Sequence, residues 1–144
     1  MVAAVAEEFS VNETFQLLQS DAAAMLIDVR TAAEWTYVGV PVLDDLSKRP
    51  VFVEWQSFPS AAVDPQFVEK LGTVLKKNGA TEETHLCFIC RSGARSAAAA
   101  RAMASAGYRR CHNVKEGFEG PLDTEGHRGM VAGWLAAGLP WAQG

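Results

Sequence analysis

His85-Leu86-Cys87-Phe88-Ile89-Cys90-Arg91-Ser92-Gly93-Ala94-Arg95-Ser96 is the stretch on which the fold turns. His85 to Ile89 reads as a short buried strand. Arg95 to Ala106 is alanine-rich, a helix composition, and Gly107 suits its left-handed stop. A strand passing straight into a helix is the repeating unit of an α/β fold, and the rest of the chain offers more of the same.

Upstream, Asn12 is a good N-cap for a helix carrying Phe15, Leu17 and Leu18. Met25 to Val29 reads as a buried strand, and Thr31 with Glu34 forms a capping-box pattern for a short helical turn. A proline, a glycine and charges make Val38 to Arg49 a loop, and Val51 to Trp55 alternates like a strand. Asp64-Pro65 is a helix start, with Phe67, Val68, Leu71, Val74 and Leu75 as its apolar stripe. Lys76 and Lys77 suit the helix end, and Gly79 the stop. Downstream, Cys111 to Val114 reads as a last strand and Gly129 to Ala137 as a glycine-weakened helix. Strands alternating with helices predict a parallel sheet covered on both faces, in one α/β domain spanning 1–144.

The bulk numbers narrow the function classes. A length of 144 residues is enough for a proper core, and a charge of -4 argues against a nucleic-acid surface. No apolar run approaches the roughly 18 residues of a membrane span. Met1 to Ser10 lacks a basic start and contains Glu7 and Glu8, so it makes a poor secretory signal. Three cysteines do not make a disulfide framework, which favours a reducing cytoplasm. No internal repeat or linker interrupts the chain.

In sheets of this kind ligands gather at the carboxyl ends of the strands, which directs attention to Cys90 and the residues after it. A thiol attacks as its thiolate, and its unperturbed pKa of about 8.5 leaves little of that form at neutral pH. A helix N-terminus favours the thiolate and holds anions. Arg91 and Arg95 add positive charge that can grip an oxyanion in bidentate fashion. Gly93 lets the backbone curl so that successive N–H groups point inward, while Ser92, Ala94 and Ser96 keep the loop small. A lone cysteine at a strand end is usually a small buried hydrophobe. The arginines, the glycine and the strand-to-helix switch within seven residues outweigh that reading for Cys90.

These residues resemble the rhodanese family of sulfurtransferases, whose active-site loop follows a strand and begins with the catalytic cysteine. Cys90 to Arg95 match the loop's length, and Cys-Arg-Ser-Gly-x-Arg-Ser is common in its single-domain members. Leu26-Ile27-Asp28-Val29-Arg30 with Glu34-Trp35 resembles the family's first motif, and Gly107-Tyr108 with Val114 to Gly120 its closing one. The resemblance covers about residues 9–120, leaving 121–144 as a C-terminal extension. Two departures stand out. Phe118 replaces a usual tryptophan, and Val38-Gly39-Val40-Pro41-Val42-Leu43 replaces the usual Gly-His-Ile-Pro-Gly-Ala. The loop from Asp44 to Val63 is also longer than usual.

The resemblance implies a central parallel sheet of about five strands with helices on both faces. It implies a thiosulfate sulfurtransferase that moves a sulfane sulfur from a small sulfur-containing anion, thiosulfate for one, to cyanide or a thiol, a protein's included, through a Cys90 persulfide. Arg91, Ser92, Gly93, Ala94, Arg95 and Ser96 form the anion-binding loop, and Asp28, Arg30 and Glu34 brace it, with a pairing of Glu34 to that first-motif pair as one way of doing so. No cofactor or metal, and no nucleic-acid or membrane partner, is called for. Cysteine phosphatases share the fold but place the arginine six positions after the cysteine, whereas Arg95 lies five after Cys90. That disfavours a phosphatase or arsenate reductase. A non-catalytic persulfide carrier or sensor is the remaining alternative.

Other chemistry-bearing residues read as structural. Cys87 and Cys90 have a Cys-x-x-Cys spacing, but on a strand three residues span roughly 10 Å and the side chains face opposite ways. A disulfide needs Cα atoms within about 7 Å. Cys111 reads as core, and His85, His112 and His127 lack a metal-ligand spacing. His127 reads as an exposed loop residue, with a place over the active site as the alternative. The four tryptophans read as core and rim packing.

Overall fold

The computed structural model describes residues 6–57, 60 and 62–144. The signal-sequence reading of Met1 to Ser10 therefore falls partly outside the described residues, as do Phe58, Pro59 and Ala61 of the long loop. Five strands form one sheet: β1 (Glu7–Phe9), β2 (Met25–Asp28), β4 (Val51–Phe52), β5 (Leu86–Ile89) and β6 (Cys111–Val114). Their order is β1-β6-β5-β2-β4, and every pair is parallel. Helices α1 (Val11–Ser20), α2 (Ala32–Tyr37), α3 (Phe67–Lys77) and α4 (Ala94–Ser105) connect them, and β3 (Val40–Pro41) pairs antiparallel with β7 (Trp141–Ala142).

Strand alternation divides the core into two layers. Ile27, Val29, Leu86 and Phe88 pack with Phe67, Leu71 and Leu75 of α3 and Ala99, Ala100 and Met103 of α4. Leu26, Cys87, Ile89 and Val114 face the other way, onto Val11 and Leu18 of α1, Phe118 and Trp134. This is the two-sided α/β sheet predicted above.

The chain leaves β2 for β4 on one side and leaves β5 for β6 on the other, although β2 and β5 are neighbours. Such a reversal of direction opens a crevice at the strands' carboxyl ends, the usual place for a ligand. Cys90 follows β5 there, and Arg30 follows β2.

Several local expectations are corrected. The cap of α1 is Ser10, not Asn12: its Oγ accepts from the Glu13 N–H at 3.0 Å, and Glu13 reaches back in a capping box. Glu7–Phe9 is a strand, bringing the sheet's edge upstream of residue 9; its three residues are too few for a periodic signal. The Val51–Trp55 strand shortens to β4, although Val53 and Trp55 N–H groups still bond Asp28 and Val29 carbonyls at 3.1 Å. The predicted loop 38–49 contains β3, whose partner comes from the far end of the chain.

Asp64 makes a turn by accepting from the Gln66 N–H at 2.8 Å, and α3 begins only at Phe67. Gly129 to Ala137 is not helical: Gly129 and Gly133 have φ of +84° and +105°. A Cβ on Gly133 would sit 2.8 Å from the Gly120 nitrogen, so the chain takes a left-handed path that brings the two segments together.

That path folds residues 121–144 onto the sheet. Trp134 is fully buried, and its indole N–H donates to the Pro140 carbonyl at 2.7 Å. Trp134→Ala is expected to lower unfolding free energy by about 3–5 kcal/mol in denaturant titration, the usual cost of emptying a buried indole site.

Candidate active site

The loop from Cys90 to Ser96 turns its backbone N–H groups inward and its first carbonyls outward. The Gly93 N–H and the Ser96 N–H donate to Cys90 Sγ at 3.2 and 3.3 Å, and Ser96 Oγ lies 3.2 Å away. The Cys90 carbonyl accepts from the Phe118 N–H at 2.8 Å, and the Arg91 carbonyl from Glu119 and Gly120 at 3.0 and 3.1 Å. The segment after β6 thus satisfies the loop's acceptors and leaves its donors facing the sulfur.

Two glycines make the curl possible. Gly93, the N-cap of α4, has φ +108°, and a Cβ there would lie 2.2 Å from the Lys115 carbonyl. Gly117, at φ +73°, passes so close that its Cβ would lie 2.5 Å from the Arg91 carbonyl. With the start of α4 behind it, the sulfur meets both N–H donors and the positive end of a helix.

Arg95 does not stand free in this loop. Its Nη1 and Nη2 meet Glu34 Oε1 and Oε2 at 2.5 and 3.0 Å. Glu34 is also the capping-box residue of α2: its Oε1 accepts from the Thr31 N–H at 3.2 Å. One carboxylate therefore ends a helix and neutralises the loop's second arginine. Burial opposes Glu34 ionisation, but the Arg95 hydrogen bonds and charge outweigh it and hold the carboxyl below its usual range. The same hydrogen bond, donated to Glu34, raises the Arg95 pKa.

Asp28 and Arg30, both fully buried, pair with each other rather than with Glu34. Arg30 Nη2 also donates to the Gly39 carbonyl at 2.8 Å, and its guanidinium lies 4.2 Å from the Phe118 ring centre. The pair ties the end of β2 to the 38–43 segment and to the residue that stands in the tryptophan position.

A cavity of about 590 Å³ opens above the loop. Arg91, Arg95 and Arg128 bring positive charge to its wall, Glu34 and Glu119 negative charge, and Ala33, Tyr37 and Val38 an apolar side. Cys90 is 1% exposed and is not part of that wall. Ser92 and Ala94 are exposed and also stand outside it.

Arg128 and Glu119 were not foreseen. The only hint was His127, which is exposed and absent from the cavity, while its neighbour turns inward and donates to the Gly120 carbonyl at 2.8 Å. The other two thiols belong elsewhere. Cys87 packs in the opposite core layer from Cys90, and burial pushes Cys87 and Cys111 up to about 12. Among the described residues no cluster of His, Cys, Asp and Glu could hold a metal ion, and no helix is long and apolar enough to cross a membrane.

A family model described as the STR4 middle domain matches residues 7–144. The chain is 33% identical over 131 residues to the uncharacterised protein RC0915 of Rickettsia conorii, covering 90% of this chain and 91% of that one. It is 28% identical over 134 residues to the chloroplastic rhodanese-like domain-containing protein 4 of Arabidopsis thaliana, covering 93% of this chain and 25% of that protein. The crystal structure of Rv0390 from M. tuberculosis superposes with a TM-score of 0.85 at 39% identity, over 97% of this chain and 99% of the other. A polysulfide-sulfur transferase homodimer from Wolinella succinogenes shares the fold at TM-score 0.60 and 23% identity, over 96% of this chain and 80% of that one.

The Glu34–Arg95 pair has a pH signature. Because the Glu34 pKa is lower in the folded chain than in the unfolded one, its stabilisation is complete above the unfolded value, about 4.3. It is lost as pH falls through the lowered folded value. Glu34→Gln is therefore expected to flatten the decline of stability below about pH 4.3 while lowering stability at neutral pH, as read by denaturant titration across pH.

Proposed function

The chain belongs to the STR4 middle-domain family and has the rhodanese-like fold, and from that premise we propose that it is a sulfurtransferase with Cys90 as the sulfur-carrying nucleophile. The observation that carries the reading is the convergence of two backbone N–H groups on Cys90 Sγ at the start of α4. Donors fixed in place before reaction stabilise a sulfur anion without reorganising. The fold is that of the sulfurtransferase superfamily; the donor, the acceptor and the residue roles are our reading.

In the first half-reaction the Cys90 thiolate attacks the outer sulfur of a donor such as thiosulfate. A new S–S bond forms, the donor's own S–S bond breaks, and sulfite leaves with the electron pair. The terminal persulfide anion then occupies the loop that Arg91, Ser92, Gly93, Ala94, Arg95 and Ser96 make. In the second half-reaction cyanide or a thiolate attacks that terminal sulfur and Cys90 leaves as thiolate, giving ping-pong kinetics. No cofactor or metal enters either step, and a reducing cytoplasm would keep the thiol available.

The donor's sulfonate meets Arg91 and Arg128, both in the cavity wall. Arg95, in the same wall but engaged by Glu34, holds the loop in shape. Asp28 and Arg30 hold the neighbouring strand end against Phe118.

The burial of Cys90 favours one second reading: a persulfide carrier that loads once and unloads only to a matched partner. Both readings predict that thiosulfate adds one sulfur atom to Cys90, seen by mass spectrometry, and that Cys90→Ser abolishes the gain. Only the enzyme turns over with thiosulfate and cyanide. An unmodified Cys90 would overturn both.

Arg91→Ala and Arg128→Ala are each expected to raise KM for thiosulfate about tenfold, the worth of one charge-assisted hydrogen bond. Steady-state kinetics checks this. An unchanged KM in both variants would remove the sulfonate assignment.

A further inference from the structure

Asn113, on β6, lies behind the loop and is 2% exposed. Its Nδ2 faces two oxygens, the Gly93 carbonyl at 3.2 Å and Glu8 Oε1 at 3.0 Å. Only the amide nitrogen can donate to both, which fixes the orientation of the side chain. Asn113 Oδ1 then faces Ser96 Oγ at 2.6 Å.

The Ser96 hydroxyl has a single hydrogen and three neighbouring acceptors. The Gly93 carbonyl, at 3.3 Å, already accepts from the Ala97 N–H at 3.1 Å and from Asn113 Nδ2. Cys90 Sγ is 3.2 Å away, and Asn113 Oδ1, at 2.6 Å, is much the nearest. The hydrogen therefore goes to Asn113, and the oxygen turns a lone pair toward Cys90.

We propose that Asn113 is a positioning residue that sets the ionisation of Cys90 by dictating the direction of the Ser96 hydroxyl. While Cys90 carries its proton, the S–H can donate to Ser96 Oγ as Ser96 O–H donates to Asn113 Oδ1. When the thiol loses its proton to solvent, a lone pair on Ser96 faces the new anion. The hydroxyl must rotate to donate to Sγ, and the buried Oδ1 then loses its partner. The first arrangement sets a lone pair against an anion held only by the Gly93 and Ser96 N–H groups, and the second leaves a buried amide oxygen unpaired. Asn113 thus holds the uncharged thiol in reserve, and a persulfide, whose charge lies one atom further out, escapes the penalty.

The charged groups around this chain of contacts are the Arg95–Glu34 and Asp28–Arg30 pairs, Arg91 in the cavity wall, and Glu8 on Asn113 itself. None is substituted in the test, and the one that loses a contact, Glu8, loses it equally with and without Ser96. The test rests on Cys90 being the reacting thiol, but alkylation reads ionisation without any sulfur transfer. Failure of the sulfurtransferase reading and failure of this one are therefore separate results.

The experiment measures the rate of Cys90 alkylation by iodoacetamide against pH, with the Cys90 peptide quantified by mass spectrometry. It uses four proteins: wild type, Asn113→Leu, Ser96→Ala and the double variant. Asn113→Leu is expected to lower the midpoint by about half to one pH unit, the worth of one hydrogen bond. In the Ser96→Ala background the same change should not move it, because the hydroxyl that transmits the effect is gone. A midpoint that stays or rises in Asn113→Leu, or falls equally with and without Ser96, overturns the proposal. The last outcome would mean that Asn113 acts only by holding Gly93. Asn113→Val, smaller and suited to a strand, gives the same readout if the leucine variant does not fold.

Discussion

In the loop from Cys90 to Ser96 the Gly93 and Ser96 N–H groups point at the sulfur, while the Cys90 and Arg91 carbonyls point away from it. A tight loop cannot leave its carbonyls buried and unpaired, so the inward turn of the Gly93 and Ser96 N–H groups depends on a partner for the Cys90 and Arg91 carbonyls. Phe118, Glu119 and Gly120 supply it. Their chain can come that close only because Gly117 carries no Cβ. The geometry at the sulfur is thus set as much by the segment after β6 as by the loop itself.

Charge is handled with similar economy. Three arginines reach the cavity, yet Arg95 is answered by Glu34, and Glu119 stands near Arg91 and Arg128 in the same wall. The result is a modestly positive recess in a protein of net charge -4. The buried Asp28–Arg30 pair is a different device. Its full desolvation makes it a poor source of stability and a strict specifier of position, since a lone partner left behind would be costly. It keeps β2's end, the 38–43 segment and Phe118 in fixed relation, which is where the sequence departs most from its family's usual pattern.

Much of this was legible in the residues. The short, mainly apolar runs at 25–29 and 85–89 gave two of the inner strands, because a strand buried on both faces is apolar along most of its length. Thr31 and Glu34 announced their capping box. The position of Cys90 between a strand and an alanine-rich helix announced the loop. Where the reading failed, the signal was too short or belonged to another part of the chain. Three residues of β1 carry no period, and α1 is capped two residues earlier than Asn12 suggested because Ser10 and Glu13 satisfy each other. Gly129 to Ala137 has a helix-like share of small residues, but Gly133 serves close approach to Gly120 instead.

Sequence alone determined the α/β class and the cysteine at the end of a strand, because these depend on residues adjacent in the chain. Tertiary structure decided everything that needs two distant segments to meet. It gave Arg95 to Glu34, placed Arg128 rather than His127 in the cavity, and set Asn113 behind Ser96 through the pairing of β6 with its neighbours. Side-chain partners across a sheet depend on register and strand order, and neither is written in any local stretch of sequence.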